Sequence, residues 1–186
     1  MKKTAVLILL ALIVAALLLA GTHWGLTTYS QRQISGDLQT TLDPVTAVTG
    51  DFALTWDGET LFVTHASQAE KILWQSVPGA SFVNAAQGRE LVTDNRGSFT
   101  ISDQLTAVCA EQTLDEITET PFGVVLRGQL ACSNGQPTSY ELTFFQIQPD
   151  HLRFLLKLDD PAYNRTYFTY ASSADEHFFG FGEQFS

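Results

Sequence analysis

From about residue 50 onward, apolar and polar side chains alternate over short runs that end at turn-forming residues. The apolar members of the first two runs are Phe52, Leu54, Trp56, Leu61 and Val63. An alternation of period two gives a strand one apolar face, and the Asp57-Gly58 pair between the runs favours a two-residue hairpin turn. That turn sets Leu54 opposite Leu61. It also sets Phe52 opposite Val63, so the predicted hairpin presents an apolar face on both strands.

Further runs of the same kind follow at short spacing, separated by Gly, Pro, Asn and Asp residues. Many short strands with such turns are typical of antiparallel sandwiches. We therefore predict an all-β fold, an antiparallel β-sandwich over residues 50–176, behind an N-terminal hydrophobic helix. The further candidate strands are Lys71–Trp74, Glu90–Thr93, Ser98–Ser102, Ala107–Thr118, Val124–Cys132, Ser139–Gln148, His151–Asp159 and Arg165–Ala171.

Composition places the chain among globular proteins. Hydrophobic residues make up 45% of it and charged residues 16%, which is too apolar for a disordered chain. Beyond the N-terminal apolar run there is room for one domain of about 150 residues. The formal net charge is −10, and no basic run occurs beyond Lys2-Lys3. A phosphate backbone needs a positive surface, so we predict no nucleic-acid partner.

The N-terminus has the pattern of an export signal. Lys2-Lys3 precede an uninterrupted apolar run from Ala5 to Ala20, and positive charge before such a run is typical of exported or membrane-anchored proteins. Continued as a helix to Trp24, the run would span about 30 Å, which is enough for a bilayer. Trp24 would then lie at the membrane interface, where aromatic rings anchor.

Two readings of this N-terminus remain open. Residues 1–24 are either a signal anchor, which contacts the membrane through residues 5–24, or a cleaved signal peptide. Residues 25–49 are rich in Thr, Gln, Ser and Asp and are predicted to form a spacer. Both readings place the rest of the chain outside the cytoplasm, as an exported protein that is membrane-anchored, periplasmic or extracellular.

The chain has two cysteines, Cys109 and Cys132. If Thr120-Pro121 is the centre of a hairpin, these residues face each other across two antiparallel strands. A cysteine pair outside the cytoplasm is expected to oxidise, so we predict a disulfide. The alternative is two buried thiols that act as small core residues.

The sequence lacks the motifs of metal binding, serine hydrolysis, and phosphate or dinucleotide binding. The four histidines lack metal-ligand spacing, no Gly-x-Ser-x-Gly elbow occurs, and we predict no metal and no cofactor. Glycoside hydrolysis uses two carboxyl groups on either side of the scissile bond. The adjacent pairs Asp115-Glu116, Asp159-Asp160 and Asp175-Glu176 lie in turn-like or solvated contexts, and neighbours on a strand point to opposite faces. No catalytic residue is therefore predicted.

The C-terminal end carries a family resemblance. The string FFGFGEQFS, residues 178–186, resembles the junction motif of glycoside hydrolase family 31, the α-glucosidase and α-xylosidase group. A second stretch, Ile72–Gly79, followed by Phe82, Gly88 and residues 96–99, resembles the same domain in the bacterial branch that includes sulfoquinovosidases. The similarity covers roughly residues 50 to 186.

The resemblance implies a galactose-mutarotase-like supersandwich that leads into a catalytic (β/α)8 barrel. It also implies that the catalytic aspartates lie on that barrel, downstream of residues 177–186, so that this chain is non-catalytic alone and the complete enzyme acts on a carbohydrate. We expect the Phe-rich end to enter a further layer of protein that this chain does not contain. The junction residues implied are Phe179, Gly180, Gly182, Glu183 and Gln184.

A second hypothesis is a stand-alone, membrane-tethered carbohydrate-binding or adaptor module. Such a module would stack exposed aromatic rings on sugar faces. The candidate rings are Trp56, Trp74, Tyr163 and Tyr170, and for each of them packing in the core is the alternative.

Overall fold

Twelve β-strands make up the described part of the chain. The computed structural model describes residue 34 and residues 36–172, and the side chain of Asn95 is not included. The strands are β1 (Leu38–Gln39), β2 (Val45–Thr49), β3 (Phe52–Trp56), β4 (Leu61–His65), β5 (Gln68–Gln75), β6 (Val83–Asn95), β7 (Ser98–Thr113), β8 (Glu116–Thr120), β9 (Gly123–Cys132), β10 (Thr138–Gln148), β11 (His151–Leu158) and β12 (Arg165–Phe168).

The strands form two sheets. The larger has the order β11-β10-β9-β7-β6-β12, with β8 paired to β9 and β1 paired to β7. The smaller has the order β2-β3-β4-β5. Within the described ranges every pairing is antiparallel except that of β1 with β7. The predicted all-β antiparallel sandwich is confirmed, whereas the predicted N-terminal helix lies outside the described residues.

The core lies between the two sheets, and strand alternation supplies it from both. On β3, Phe52, Leu54 and Trp56 are buried while the residues between them are partly exposed. On β10, Tyr140, Leu142 and Phe144 follow the same period. Complete burial of a large apolar side chain stabilises a fold by about 1.5–3 kcal/mol, so this alternation fixes which face of each sheet points inward.

The first hairpin has a longer turn than the sequence predicts. Trp56 lies opposite Leu61 and Leu54 opposite Val63, so the connection contains four residues and not two. The Asp57 carboxylate stabilises it by accepting hydrogen bonds from the amides of Glu59 (2.9 Å) and Thr60 (2.7 Å). The predicted register is therefore wrong by two residues. Because the side-chain period is two, the same residues still face the core.

The chain also departs from the predicted strand over residues 107–118. β7 ends at Thr113 and β8 starts at Glu116, and the two strands lie along successive parts of the same edge of β9. The crossing point is at Gly128, where a Cβ atom would collide with the carbonyl oxygen of Thr113. A side chain at this position would force the two backbones apart.

Cys109 and Cys132 are cross-strand neighbours on β7 and β9, joined by a disulfide with a Cα–Cα distance of 3.9 Å. The strand pairings that bring the two cysteines together differ from the predicted ones. The β8–β9 hairpin turns one residue later than expected, because Thr120 is opposite Gly123. The break between β7 and β8 and an irregularity between Cys109 and Glu111 on β7 each change the pairing by one residue, and together they offset that difference.

Replacing both cysteines, as Cys109→Ala with Cys132→Ala, is expected to lower the free energy of unfolding by about 3 kcal/mol. The cysteines are 23 residues apart, and chain-entropy arguments give about that value for closing such a loop. Urea denaturation of both proteins measures the difference, and reducing agent serves as the control, because it should destabilise only the parent chain. Free, alkylatable thiols at both positions in the non-reduced parent would contradict the pairing.

A buried side-chain amide connects three segments of the core through hydrogen bonds. Gln112 of β7 is fully buried, and its Oε1 accepts hydrogen bonds from the backbone amides of Phe82 (2.9 Å) and Val83 (3.2 Å). Its Nε2 donates to the Tyr140 hydroxyl (2.7 Å), which donates to the Thr113 carbonyl (2.9 Å). Burial raises the pKa of Tyr140, so the phenol keeps its proton and remains a donor.

β6 and β7 continue past the core as a two-stranded arm, defined here as residues 89–106. The strands pair up to Asn95 and Ser98, and the turn between them has positive φ at Arg96 and Gly97. An isolated two-stranded hairpin is marginally stable in water, yet this arm carries exposed apolar side chains. They are Leu91, Val92, Phe99, Ile101 and Leu105.

The sandwich begins earlier than the predicted boundary at residue 50. β1 and β2 lie within residues 25–49, which were predicted to be a spacer, and β2 forms an edge of the smaller sheet. Ala47 of β2 is buried in the core. The spacer prediction is therefore wrong for these two strands, because a short run such as residues 45–49 carries too little alternation to be recognised.

Among the described residues, no helix is long and apolar enough to cross a membrane. The predicted anchor or signal over residues 1–24 lies outside them.

Candidate functional site

An apolar groove opens along one side of the sandwich, where the smaller sheet meets the ends of the larger one. It has a volume of about 570 Å³. Its principal walls are Leu73, Trp74, Leu152, Phe154, Phe168 and Tyr170, and we refer to it as the aromatic groove.

Three rings stacked in series form its floor. The Phe168 ring stacks on Trp74, with centroids 5.3 Å apart, and on Phe154, with centroids 4.7 Å apart. These rings come from β12, β5 and β11 respectively. Since β11 and β12 lie at opposite ends of the larger sheet, that sheet curls until its two ends meet across the groove. Offset stacking of this kind adds about 0.5–1.5 kcal/mol per pair beyond area burial.

A bulge on β5 directs two successive side chains into the groove. Trp74 pairs with Val63 and Ile72 with Thr64, so Leu73 is left without a partner on β4. A bulge of this kind re-aims a side chain and bends the strand. Leu73 and Trp74 both line the groove as a result, although neighbours on a regular strand point to opposite faces.

The chain after β12 passes from one sheet to the other. Thr169 donates its amide proton to the carbonyl of Phe82 in the larger sheet (3.0 Å). Two residues later, Ala171 donates to the carbonyl of Gln75 at the end of β5 (3.0 Å). This crossing places Phe168 and Tyr170 in the groove, and it leaves the chain at the outer edge of the smaller sheet.

The described lining of the groove is mainly apolar and aromatic. Two charged side chains, Asp150 and Arg153, lie along it and are exposed. Its lining therefore contains one carboxyl group among the described residues, whereas glycoside hydrolysis uses two. What it offers a ligand is aromatic and aliphatic surface, which suits an apolar peptide segment or the flat face of a sugar ring.

Two of the four aromatic residues considered for sugar stacking are not available for it. Trp56 is fully buried, and its indole N–H donates to the Leu42 carbonyl (3.2 Å). Tyr163 is also buried, and its hydroxyl donates to the Gln136 carbonyl (2.8 Å). Core packing is therefore the correct interpretation of both, whereas Trp74 and Tyr170 line the groove.

The sequence analysis did not identify Phe154 and Phe168, which complete the stack. Phe154 lies on β11, most of whose residues are exposed, and is itself 48% exposed. The signal that could have identified Phe154 was a large apolar residue on a strand with mostly exposed residues. Its stacking partner comes from the far end of the sheet, so no local pattern could have paired them.

The acidic pairs have structural roles where they are described. Arg127 bridges Glu116 (3.2 Å) and Glu141 (3.0 Å) on the outer face of the larger sheet. Hydrogen bonds from Thr118 and then from Arg127 lower the pKa of Glu116. Asp160 accepts the amide proton of Ala162 in a turn (2.8 Å). The contacts to Glu116 therefore favour its ionised form at the surface.

Other predicted positions cannot be placed. Asp175-Glu176 and the junction residues Phe179, Gly180, Gly182, Glu183 and Gln184 lie outside the described residues. Within residues 36–172, no three His, Cys, Asp or Glu side chains come together in a way that could hold a metal ion.

No protein-family model matches this chain, and no curated protein and no solved structure matches it either.

Proposed function

We propose that this chain is the N-terminal, non-catalytic β-sandwich of an exported family-31 α-glycosidase. In the complete enzyme it would brace the catalytic barrel and shape one side of the sugar pocket. The observation that carries the proposal is the order of the β-sandwich and the junction-like string along the chain. The last described strand of the β-sandwich is β12 (Arg165–Phe168), and the string FFGFGEQFS begins ten residues after it.

The exposed apolar surface of the sandwich supports a bracing role. Val92 and Ile101 lie opposite each other on the arm, both exposed, with Phe99 next to them on the same face. Soluble monomers rarely expose contiguous apolar surface without a use for it. A second domain packed against this face would cover it.

The aromatic groove favours a second candidate function, that of a stand-alone carbohydrate-binding or adaptor module tethered to the membrane. Phe154 is half exposed, and Trp74 and Tyr170 lie beside it. Such rings could stack on a sugar. The two functions differ in what the chain does alone, since a binding module needs no barrel.

The purified full-length chain is expected neither to turn over aryl α-glycosides nor to bind α-glucosides or α-xylosides with saturation. Its described residues hold no carboxylate pair placed for hydrolysis, and a bracing domain contributes only one side of a sugar pocket. Chromogenic assays and calorimetric titration in detergent measure both properties, with heat-denatured protein as the control.

Two outcomes of these assays would contradict the proposal. Turnover above the control would contradict the non-catalytic assignment. Saturable binding that is lost in Trp74→Ala and kept in Phe122→Ala, whose ring is 85% exposed elsewhere on the surface, would establish the binding module instead. Sequencing the transcript beyond the Ser186 codon gives an independent test, because the proposal requires it to encode a barrel with two strand-end aspartates.

A further inference from the structure

The arm has an open edge along β7. On the side away from β6, the described pairing of β7 starts at Cys109, where β9 lies beside it. Residues 98–106 therefore have no neighbouring strand on that side within the described part of the chain. Natural proteins protect such edges with Lys, Pro or other charged positions, but residues 98–102 read Ser-Phe-Thr-Ile-Ser and contain none of these.

Alternate residues of β7 direct their backbone groups to this edge. Gly88 on β6 points away from β7, because the Asn164 side-chain amide bonds to both its N–H (2.9 Å) and its C=O (3.0 Å). Leu105 lies opposite Gly88, and residues opposite each other in an antiparallel pair both point inward or both point outward. The residues of β7 that point outward on this period are Leu105, Asp103, Ile101 and Phe99.

The side chains of these outward-pointing residues share one face of the arm, which is largely apolar. Phe99 and Ile101 are 71% and 66% exposed. The opposite face carries hydroxyl groups on this strand, from Thr100 and Ser102. A strand added along β7 would shield the apolar rings and chains, and it would convert a marginal two-stranded ribbon into a three-stranded sheet.

The apolar face is also acidic. Glu90 and Asp103 lie directly opposite each other on it, and like charges in that position repel. Arg165 forms an ion pair with Asp103 (3.1 Å), whereas Glu90 forms none among the described residues. A second cation beside this pair of carboxylates would therefore be favourable.

We propose that the open edge of β7 binds an extended segment of another protein. This segment alternates along its length, with apolar side chains beside Phe99 and Ile101 and a lysine or arginine beside Asp103. In this mode of recognition, main-chain hydrogen bonds supply affinity and alternate side chains supply specificity. The edge of β7 offers both, because Phe99, Ile101 and Asp103 combine outward backbone groups with side chains on one face.

This chain does not supply such a segment itself. Of its ten Lys and Arg residues, three lie outside the described residues: Lys2, Lys3 and Arg32. The two lysines precede an uninterrupted apolar run, which has no alternation. Arg32 is four residues from Gly36, which lies against the Ala110 carbonyl. Four residues span at most about 14 Å, whereas Ala110 and Asp103 are about 23 Å apart along β7.

A second copy of the chain is disfavoured by charge. Antiparallel pairing of two β7 edges would join the two acidic faces into one. Each copy would contribute Glu90, Asp94 and Asp103 to that face, with Arg165 bonded to Asp103 in each. The opposite sign of charge is what a partner must bring.

Strand addition uses the edge of β7, whereas a packed second domain uses the face of the arm. The inference therefore goes beyond the proposed function, and it requires neither a barrel nor a sugar.

A short peptide tests the proposal directly. Fluorescein-labelled Ser-Lys-Thr-Ile-Thr-Val-Ser, with both ends blocked, is titrated with the full-length chain in detergent and followed by anisotropy. Aligned antiparallel to β7, it places its Lys, Ile and Val beside Asp103, Ile101 and Phe99. We expect saturable binding, and binding at least tenfold weaker when Glu replaces Lys in the peptide. Equal binding of the two peptides, or no binding of either, would overturn the proposal.

Two proline variants identify the edge. Ile101→Pro removes an outward amide from β7, and Val92→Pro removes the equivalent amide from β6, because the two residues lie opposite each other. An added strand on β7 lies about 10 Å from β6, two strand spacings away. Binding of the Lys peptide should fall at least tenfold in Ile101→Pro and stay within threefold of the parent in Val92→Pro. The reverse result would place the strand on β6, and equal effects would show that no edge is used; both contradict the proposal.

A charge swap remains informative even if the proline variants fold poorly. In Glu90→Lys, the preference is expected to reverse, so that the Glu peptide binds more tightly than the Lys peptide. An unchanged preference would show that the acidic face does not select the partner, contrary to the proposal.

Hydrogen exchange locates the bound strand. At saturating Lys peptide, the amides of Phe99, Ile101 and Asp103 should exchange at least tenfold more slowly, and those of Glu90 and Val92 on the other edge should not change. Unchanged rates on β7 would overturn the proposal. So would protection of β7 that rises with protein concentration in the absence of peptide, because it would assign the edge to a second copy.

Discussion

Gln112→Leu is expected to lower the free energy of unfolding by about 4 kcal/mol. Leucine has a similar size but cannot accept the amide protons of Phe82 and Val83, which the Gln112 Oε1 accepts at 2.9 and 3.2 Å. Leaving a buried donor without a partner costs about 1–3 kcal/mol, and here two donors lose one. The Tyr140 hydroxyl loses the hydrogen bond from Nε2 as well. Urea denaturation with an unchanged m-value measures the loss.

The matched control is Gln129→Leu, the same substitution at an exposed position of β9. A surface change of this kind should alter the free energy of unfolding by less than about 0.5 kcal/mol. If Gln112→Leu were as mild as Gln129→Leu, the buried amide would not organise the chain around Phe82, and the network described here would be of little energetic importance.

Trp56→Ala is expected to cost about 3–5 kcal/mol, the usual range when a large buried aromatic side chain is truncated. Trp56 has no exposed surface and is the largest fully buried side chain among the described residues, so its removal leaves a cavity that the two sheets cannot close. The indole also donates to the Leu42 carbonyl, which would lose that partner. Equilibrium denaturation measures the effect.

Phe122→Ala is the control for this substitution, because its ring is 85% exposed and contributes little to the core. A loss for Trp56→Ala no larger than that for Phe122→Ala would contradict the core assignment and reopen the sugar-stacking interpretation of Trp56.

Local alternation was sufficient to predict the fold class. Phe52, Leu54 and Trp56 on one strand, and Tyr140, Leu142 and Phe144 on another, are buried on the period that the sequence indicates. Face assignment is robust because it depends only on whether a shift is odd or even. The first hairpin demonstrates this, since its register was wrong by two residues and its core face was correct.

The register of the first hairpin and the division of residues 107–118 into two strands could not be predicted, because they depend on backbone contacts that the sequence does not reveal. The Asp57 carboxylate accepts two amide protons and stabilises a four-residue turn where the dipeptide preference favours two. The division between β7 and β8 depends on a close approach at Gly128. Neither interaction can be recognised from the hydrophobic pattern of the sequence.

The candidate site was the least predictable part, because it is assembled from distant segments. Trp74 was identified as a candidate ring, but its role depends on Phe168, 94 residues later, and on a bulge at Leu73. Phe154 joins them only because the larger sheet curls until β11 and β12 meet. These are tertiary relations, and single-residue chemistry does not predict them.

The chain can be cut at the tip of the arm, which lies outside the core. Arg96-Gly97 is an exposed turn beyond the core, and such tips are preferred sites of proteolytic nicking and of tolerated insertions. A cut there would separate β1–β6 from β7–β12, yet β6 lies between β7 and β12 in the larger sheet. The two pieces would therefore remain interleaved. We therefore expect the two pieces, produced separately, to reassemble into the sandwich.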